Sequence, residues 1–386
     1  MYISREIYNE LIESCNTFPV VTITGPRQSG KTTLLKNVYP DKKYFSLEDP
    51  DTRQLALTDP RSFLNQSDTG MIIDEIQRVP ELVSYIQGIV DNLQKPGYYI
   101  LSGSQQFELS QTISQSLAGR TAILRLLPFS IQEILVVSPN STADELLYKG
   151  FYPRTYTLPS ISPTRYYNSY LETYIDRDLR QLLHVKDLRL FELFVRLCAG
   201  RVGQIFVASN LANEVGVSIP TIQSWLSILE ASYIVYLLRP FHANINKRLT
   251  KSPKIFFYDV GLAAFLSGIT EPYQLYNSPL KGPLFENLVV MEMLKSKYNH
   301  FMPYQLYYYR DSNNNEVDLL LDFSTHIDAI EIKSSKTFDT GFLKGLKHIR
   351  QVLPEKIKNT TVCYTGDMEQ TIGESKLVNY KNIARI

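Results

Sequence analysis

The sequence is poor in cysteine: Cys15, Cys198 and Cys363 are the three in the chain, far apart and without metal-ligand spacing. Their scarcity excludes a disulfide framework and a cysteine zinc site, and it suits a reducing cytoplasm. Long apolar runs are missing too. None approaches the ~18 residues that a membrane span requires, and Met1-Tyr2-Ile3-Ser4-Arg5-Glu6 lacks the apolar core of a leader. There is no excess charge of one sign, since 40 Lys+Arg face 39 Asp+Glu for a formal net charge of +1. That balance gives no bulk pull toward nucleic acid and leaves only local patches to provide one. Internal repeats and low-complexity tracts are also absent. The expectation is a soluble, cytoplasmic protein with no membrane partner. What the chain does have is core material: 386 residues, 44% of them hydrophobic, exceed one ordinary core and predict two or three domains.

The most informative stretch is Gly25-Pro26-Arg27-Gln28-Ser29-Gly30-Lys31-Thr32, which fits G-x-x-x-x-G-K-[ST]. Val20-Val21-Thr22-Ile23-Thr24 before it reads as a β-branched strand, and Thr33-Leu34-Leu35-Lys36-Asn37-Val38 after it as a helix. Glycines let backbone N–H groups wrap a phosphate without Cβ clashes, and the helix N-terminus adds a positive dipole end. Residues 25–33 are therefore the candidate nucleotide site, Thr33 included, with Lys31 reaching the β and γ phosphates and the Thr32 hydroxyl on Mg²⁺. ATP and Mg²⁺ are the expected cofactors.

Met71-Ile72-Ile73-Asp74-Glu75 supplies a second motif about forty residues on, room for roughly one βαβ unit and a further strand. Three apolar residues predict a buried parallel strand, and acids at its end fall where ligands sit in such sheets. Asp74 is the candidate for Mg²⁺ and Glu75 for polarising the attacking water. An acid pair suits activation of water better than of a substrate hydroxyl, which disfavours a P-loop kinase.

Other expectations follow in chain order. Ile3, Ile7, Leu11 and Ile12 predict a packing helix over 3–15, and Asp49 to Ala56 a polar loop over the sheet edge. Pro80-Glu81-Leu82 opens a helix that ends near Lys95. The strand Tyr98–Leu101 ends in small polar residues, of which Ser104 and Gln105 could sense the γ phosphate or simply form a turn. Arg120, just ahead of the strand Thr121–Leu126, is either an arginine finger for a neighbouring copy of the chain, which makes a homo-oligomer a candidate, or a helix C-cap.

Gly-Pro-Arg-Gln-Ser-Gly-Lys-Thr, Ile-Ile-Asp-Glu-Ile-Gln, Leu-Ser-Gly-Ser, Ser-Leu-Ala-Gly-Arg and Leu127-Pro128-Phe129-Ser130 together resemble the prokaryotic AAA-type ATPases that carry a C-terminal domain of unknown function. Gly150-Phe151-Tyr152-Pro153, Arg177-Asp178, Phe257 to Leu262 and Phe285-Glu286-Asn287 extend the resemblance over nearly the whole chain. It implies an ATP-hydrolysing machine without naming its task.

Beyond Pro128 the composition shifts, and Tyr166 to Leu183 reads as a long helix. Leu211, Ala212, Gly216, Val217, Thr221 and Leu226 give two short helices around a tight turn, and Tyr233 to Leu238 a wing. This winged helix-turn-helix could enter a major groove through Thr221, Gln223 and Ser224, but that face has no Lys or Arg, which favours a lid or partner-docking role. In the last region a helix from Pro283 to Tyr298 carries Glu286, and strands carry Asp318, then Glu331 and Lys333, two apart and so on one face. That order resembles the restriction-endonuclease-like fold. The resemblance implies Glu286, Asp318 and Glu331 as metal ligands and Lys333 as a catalytic cation. The plainer alternative is a sheet with a solvated charged face.

The expected fold class is α/β: a P-loop NTPase with a parallel sheet over 1–135, a helical region with a winged helix over 136–265, and a restriction-endonuclease-like α/β domain over 266–386. The expected activity is that of an ATPase acting on nucleic acid, with DNA as a candidate partner. The alternative is a regulatory NTPase switch whose C-terminal part only binds a protein or DNA.

Overall fold

The computed structural model describes residues 2–104, 116–158, 160–174, 188–241 and 252–386. Gln105, Arg177 and Asp178 lie outside the described residues, as does the second half of the helix expected over Tyr166 to Leu183.

Five strands build the first sheet: β1 (Val20–Thr24), β2 (Lys43–Ser46), β3 (Met71–Asp74), β4 (Tyr99–Gly103) and β5 (Thr121–Arg125), all parallel in the order β2-β3-β4-β1-β5. In the central strands β1, β3 and β4 burial is continuous rather than alternating because both faces are covered, while the edge strands β2 and β5 are partly exposed. Val21, Ile23 and Ile72 pack with Leu11, Leu34 and Leu35 on one side, while Val20, Met71 and Ile73 pack with Phe63, Val83 and Ile86 on the other. The expected parallel sheet is therefore present. Helices α1 (Tyr8–Thr17), α2 (Lys31–Val38), α3 (Pro50–Thr58), α4 (Pro60–Leu64) and α5 (Leu82–Leu93) supply the two outer layers.

Two local expectations need correction. The stretch from Asp49 to Ala56 is helical rather than a loop: the Asp49 carboxylate accepts the Thr52 N–H at 2.8 Å, and Pro50 takes the first helical position, where its missing donor costs nothing. The first helix starts at Tyr8, not at residue 3, so Ile3 and Arg5 belong to an extended lead-in buried against other elements.

The middle of the chain is helical: α6 (Ile131–Val137), α7 (Ala143–Lys149), α8 (Pro163–Tyr174), α9 (Leu188–Ala199), α10 (Ala208–Val215) and α11 (Ile219–Ala231). Capping boxes at Ser130/Glu133 and Thr142/Glu145 start two of them. Gly216, at φ +80°, ends α10, and Ser218 caps α11. Two antiparallel strands follow, β6 (Val235–Leu238) and β7 (Lys254–Phe257), then helix α12 (Val260–Leu266).

Helix α13 (Lys281–Asn299) leads into a six-stranded mixed sheet of β8 (Gln305–Arg310), β9 (Glu316–Asp322), β10 (Ile327–Lys333), β11 (Ile357–Tyr364), β12 (Gln370–Ile372) and β13 (Ser375–Asn379), in the order β12-β13-β11-β10-β9-β8. Helix α14 (Lys344–Val352) covers one face through Leu346 and Ile349, while Leu319, Leu321, Ile330 and Ile332 turn the other face to a core shared with α13. No helix among the described residues is long and apolar enough to cross a membrane.

Candidate nucleotide site

The C-terminal ends of β1, β3 and β4 bring the first site together, as parallel sheets do. Gly25 must be glycine: its φ is +151°, and a Cβ would lie 2.1 Å from the Leu126 carbonyl oxygen. Gly30, at φ +95°, ends the loop and begins α2. Gln28 also sits at positive φ, at +61°, and the Ser29 hydroxyl is buried without a hydrogen-bond partner. Lys31 is buried, and its Nζ donates to the Gly25 and Pro26 carbonyls at 2.9 Å each. Burial pushes its amine down to about 8, opposed by the nearby Glu75 and Asp74 charges.

Asp74 is the hub. Its Oδ2 accepts the hydroxyls of Thr32 and Tyr44, each at 2.7 Å, and its Oδ1 accepts that of Ser102. Burial alone would raise this carboxyl, but the Ser102, Tyr44 and Thr32 hydrogen bonds and the Lys31 charge hold it below the ordinary value. Glu75 follows in the left-handed region, at φ +58°, a conformation that costs a non-glycine residue energy and turns its side chain away from the strand's alternation. Its Oε2 accepts from Gln77 and, at 3.2 Å, from Ser104. Ser104 thus stands beside Glu75 in this structure. Hydroxyl and carboxylate oxygens at Thr32 and Asp74 are the hard donors that suit Mg²⁺.

A cavity of about 430 Å³ opens next to the loop, lined by Tyr2, Ile3, Gly30, Thr33, Phe129 and Arg154 among others. Arg120 lies away from these groups and is bidentate on Asp91 of α5, with Nη2 to Oδ2 at 3.1 Å. It also donates to the Ala118 carbonyl at 3.2 Å.

The C-terminal acids share a neighbourhood, but lysines stand among them. Lys254 of β7, 3% exposed, lies 2.8 Å from Glu286 Oε1 and 2.5 Å from Glu316 Oε1. Lys333 lies 2.6 Å from Glu331 Oε1 and 3.6 Å from Asp318 Oδ2, which also accepts the Ile332 N–H at 2.7 Å. Among the described residues no group of three acidic, histidine or cysteine side chains has the geometry to hold a metal. Glu286, Asp318 and Glu331 share this neighbourhood, with Glu286 Oε1 facing Lys254, Glu331 Oε1 facing Lys333, and Asp318 Oδ2 facing Lys333 and the Ile332 N–H. Burial and acidic neighbours still dominate the balance. Glu286 is raised to about 7 by burial despite Lys254, and Glu331 to about 8 by burial and the Asp318 charge despite Lys333. Burial would lower Lys254, but Glu286, Asp318 and Glu316 hold it above its ordinary value.

The sequence reading missed Tyr44, Ser102, Gln77 and Lys254. Ser102 was traceable, since β3 and β4 pair in parallel with Asp74 opposite Ser102. Lys254 had one signal, a lysine opening the apolar run Ile255-Phe256-Phe257.

A five-stranded parallel sheet with a phosphate loop after its β1 strand and an acidic pair after β3 defines a P-loop ATPase-like fold of the AAA type. Consistent with this, residues 17–135 match the AAA domain family. Two domains of unknown function match the remainder, DUF8612 over 140–273 and DUF4143 over 281–383. An uncharacterized protein of Mycobacterium tuberculosis is 32% identical over 338 residues, spanning 86% of this chain and 74% of the relative. One from Haemophilus influenzae is 24% identical over 332 residues, spanning 77% and 80%. Among solved structures, the Walker-type ATPase of Pyrococcus abyssi aligns with a TM-score of 0.45 and 15% identity over 69% of this chain and 96% of that one. The chain belongs to the same family as the mycobacterial protein, and its first third is an AAA domain.

Proposed function

We propose that this chain is an ATP-hydrolysing AAA-type switch in which residues 1–135 turn over the nucleotide and the regions over 136–265 and 266–386 present a surface to a partner. The observation that carries the reading is the Thr32–Asp74 contact at 2.7 Å beside the Lys31 amine, with Glu75 next in the chain. ATP phosphates would draw Lys31 off the Gly25 and Pro26 carbonyls. Thr32 and Asp74 would hold Mg²⁺, which when bound offsets phosphate charge. Glu75 accepts a proton from the attacking water, its carboxylate oriented by Gln77 and Ser104. The apolar and aromatic cavity beside Gly30 and Thr33 has the size and placement for a nucleoside. Phosphate release from MgATP by the purified chain tests this; a wild-type rate no higher than that of Glu75→Gln would refute it.

For the C-terminal region, partner binding is favoured over cleavage. Lys254 occupies the acid cluster that cleavage chemistry would need free for a cation. The exposed Gln223 and Ser224 of α11 have no Lys or Arg beside them on that helix, which supports docking of a protein more than of DNA. Nicking of supercoiled plasmid by the wild-type chain with Mg²⁺, lost in Asp318→Ala, would reverse this preference.

A further inference from the structure

We propose that Arg5 is the positioning residue that aims the Gly30 amide into the phosphate loop, an inference that rests on the nucleotide-binding reading above. Arg5 stands in the lead-in ahead of α1, 4% exposed. Its Nη1 donates to the Ser29 carbonyl at 2.8 Å and its Nη2 to the Leu127 carbonyl at 2.7 Å. Its Nε makes an ion-pair contact with Glu133 Oε2 at 3.0 Å, and its guanidinium lies 4.9 Å from the Phe129 ring centroid.

The consequence comes from peptide geometry. In a trans peptide the C=O and N–H point in opposite directions. A guanidinium fixed on the Ser29 carbonyl therefore fixes the Gly30 N–H facing away from Arg5. Gly30, at φ +95°, has no Cβ to resist rotation of the Ser29–Gly30 unit, so the bond from Arg5 to the Ser29 carbonyl sets its direction. Arg5 is itself immobilised, because Glu133 accepts the Ser130 N–H at 3.0 Å and the Glu6 N–H at 2.6 Å as well as facing the guanidinium. A buried cation needs such a partner, and a planar fork is the one side chain that reaches two carbonyls and a carboxylate together. Lysine keeps the charge but not the fork.

A donor held in place before the phosphates arrive strengthens phosphate binding. Arg5 also lines the cavity beside Gly30 and Thr33, so pyrophosphate, which has no nucleoside, reads the phosphate effect by itself. The full-length Arg5→Lys protein is titrated calorimetrically with ADP, inorganic pyrophosphate and adenosine, and its MgATP turnover is measured. The expected result is a loss of about tenfold or more for pyrophosphate and for ADP alike, the scale of one misdirected charge-facing donor. KM for ATP rises by a similar factor while kcat holds, since the amide contacts ground and transition states alike. Glu133→Gln, which keeps Arg5 but loosens it, shifts ADP affinity in the same direction and by less; it decides the matter should Arg5→Lys not fold. Unchanged pyrophosphate affinity in the folded variants, or a loss confined to ADP and adenosine as a role in the nucleoside cavity alone would give, overturns the inference while leaving the ATPase reading intact. A wild-type chain that binds neither ADP nor pyrophosphate removes both.

Discussion

Lys31 and Glu75 sit a few residues from Asp74 in space but answer different questions, and their variants must separate. Lys31→Ala removes the amine that faces the Gly25 and Pro26 carbonyls, so ATP binding should fall below detection in a filter or fluorescence assay. Glu75→Gln keeps Thr32, Asp74 and Lys31 in place, so it should bind ATP and release phosphate at least about a hundredfold more slowly, the usual size of a general-base effect. Equal loss of binding in both would refute the assigned roles. At the other end of the chain, Glu331 gives a pH prediction. Its carboxyl is raised from 4.5 to about 8 by burial, so the folded state holds a proton that the unfolded chain has released. Its contribution to stability is fully present below pH 4.5 and is lost as pH rises through about 8. Denaturation midpoints of the wild type should decline between pH 5 and 9, and Glu331→Gln should flatten that slope; parallel slopes in the two proteins would contradict the burial argument.

Helix α3 shows what a single cap contributes at the scale of an element. Asp49→Ala removes the acceptor for the Thr52 N–H and should destabilise the protein by about 1 kcal/mol, read as a lower urea midpoint with an unchanged slope. A shift within error would mean that packing of Ala56 alone holds the helix. The same element explains why some structure was legible in the sequence and some was not. Strands β1, β3 and β4 are apolar runs that end in motif residues, so period and position agreed. Helix α3 has one buried apolar residue, Ala56, and therefore no helical period to read; its signal was the Asp49-Pro50 start. Asp74 and Glu75 could be placed at the site from order alone, but the Tyr44 and Ser102 hydroxyls around Asp74 depend on register between strands distant in sequence. The C-terminal acids were located correctly on α13, β9 and β10, yet a lysine from β7 decides their state, and no local pattern announces a contact across 32 residues.

On the scale of the whole molecule, the decisive element is α13, buried on nearly all sides, with Leu284, Phe285, Leu288 and Val290 in one core that also holds Leu127, Phe191 and Tyr233. A helix buried on nearly all sides, its Glu292 and Lys295 paired within the core, is not built to stand at a surface. Expressing residues 1–265 without the rest should therefore give a protein that unfolds at lower urea and exposes apolar surface to a dye, even though its parallel sheet is complete. A midpoint equal to that of the full chain would show that the cores are independent. Assembly is tested separately. If Arg120 leaves Asp91 to serve a neighbouring copy, mixing Arg120→Ala with Glu75→Gln should restore part of the ATPase rate, and no recovery would assign Arg120 to its own chain.

That shared core also bears on the order in which the chain is completed during synthesis. Ile3 and Ile383 belong to the same cluster, so two segments far apart in the sequence close on one another. The parallel sheet can form once residue 126 has emerged, but the lead-in before α1 must wait for partners further downstream, with Arg5 facing Glu133 and Glu6 accepting from Asn299 of α13. Long-range closure of this kind slows folding and leaves apolar surface open meanwhile. Nascent chains stalled before residue 281 should accordingly hold a formed sheet and an unfinished amino terminus.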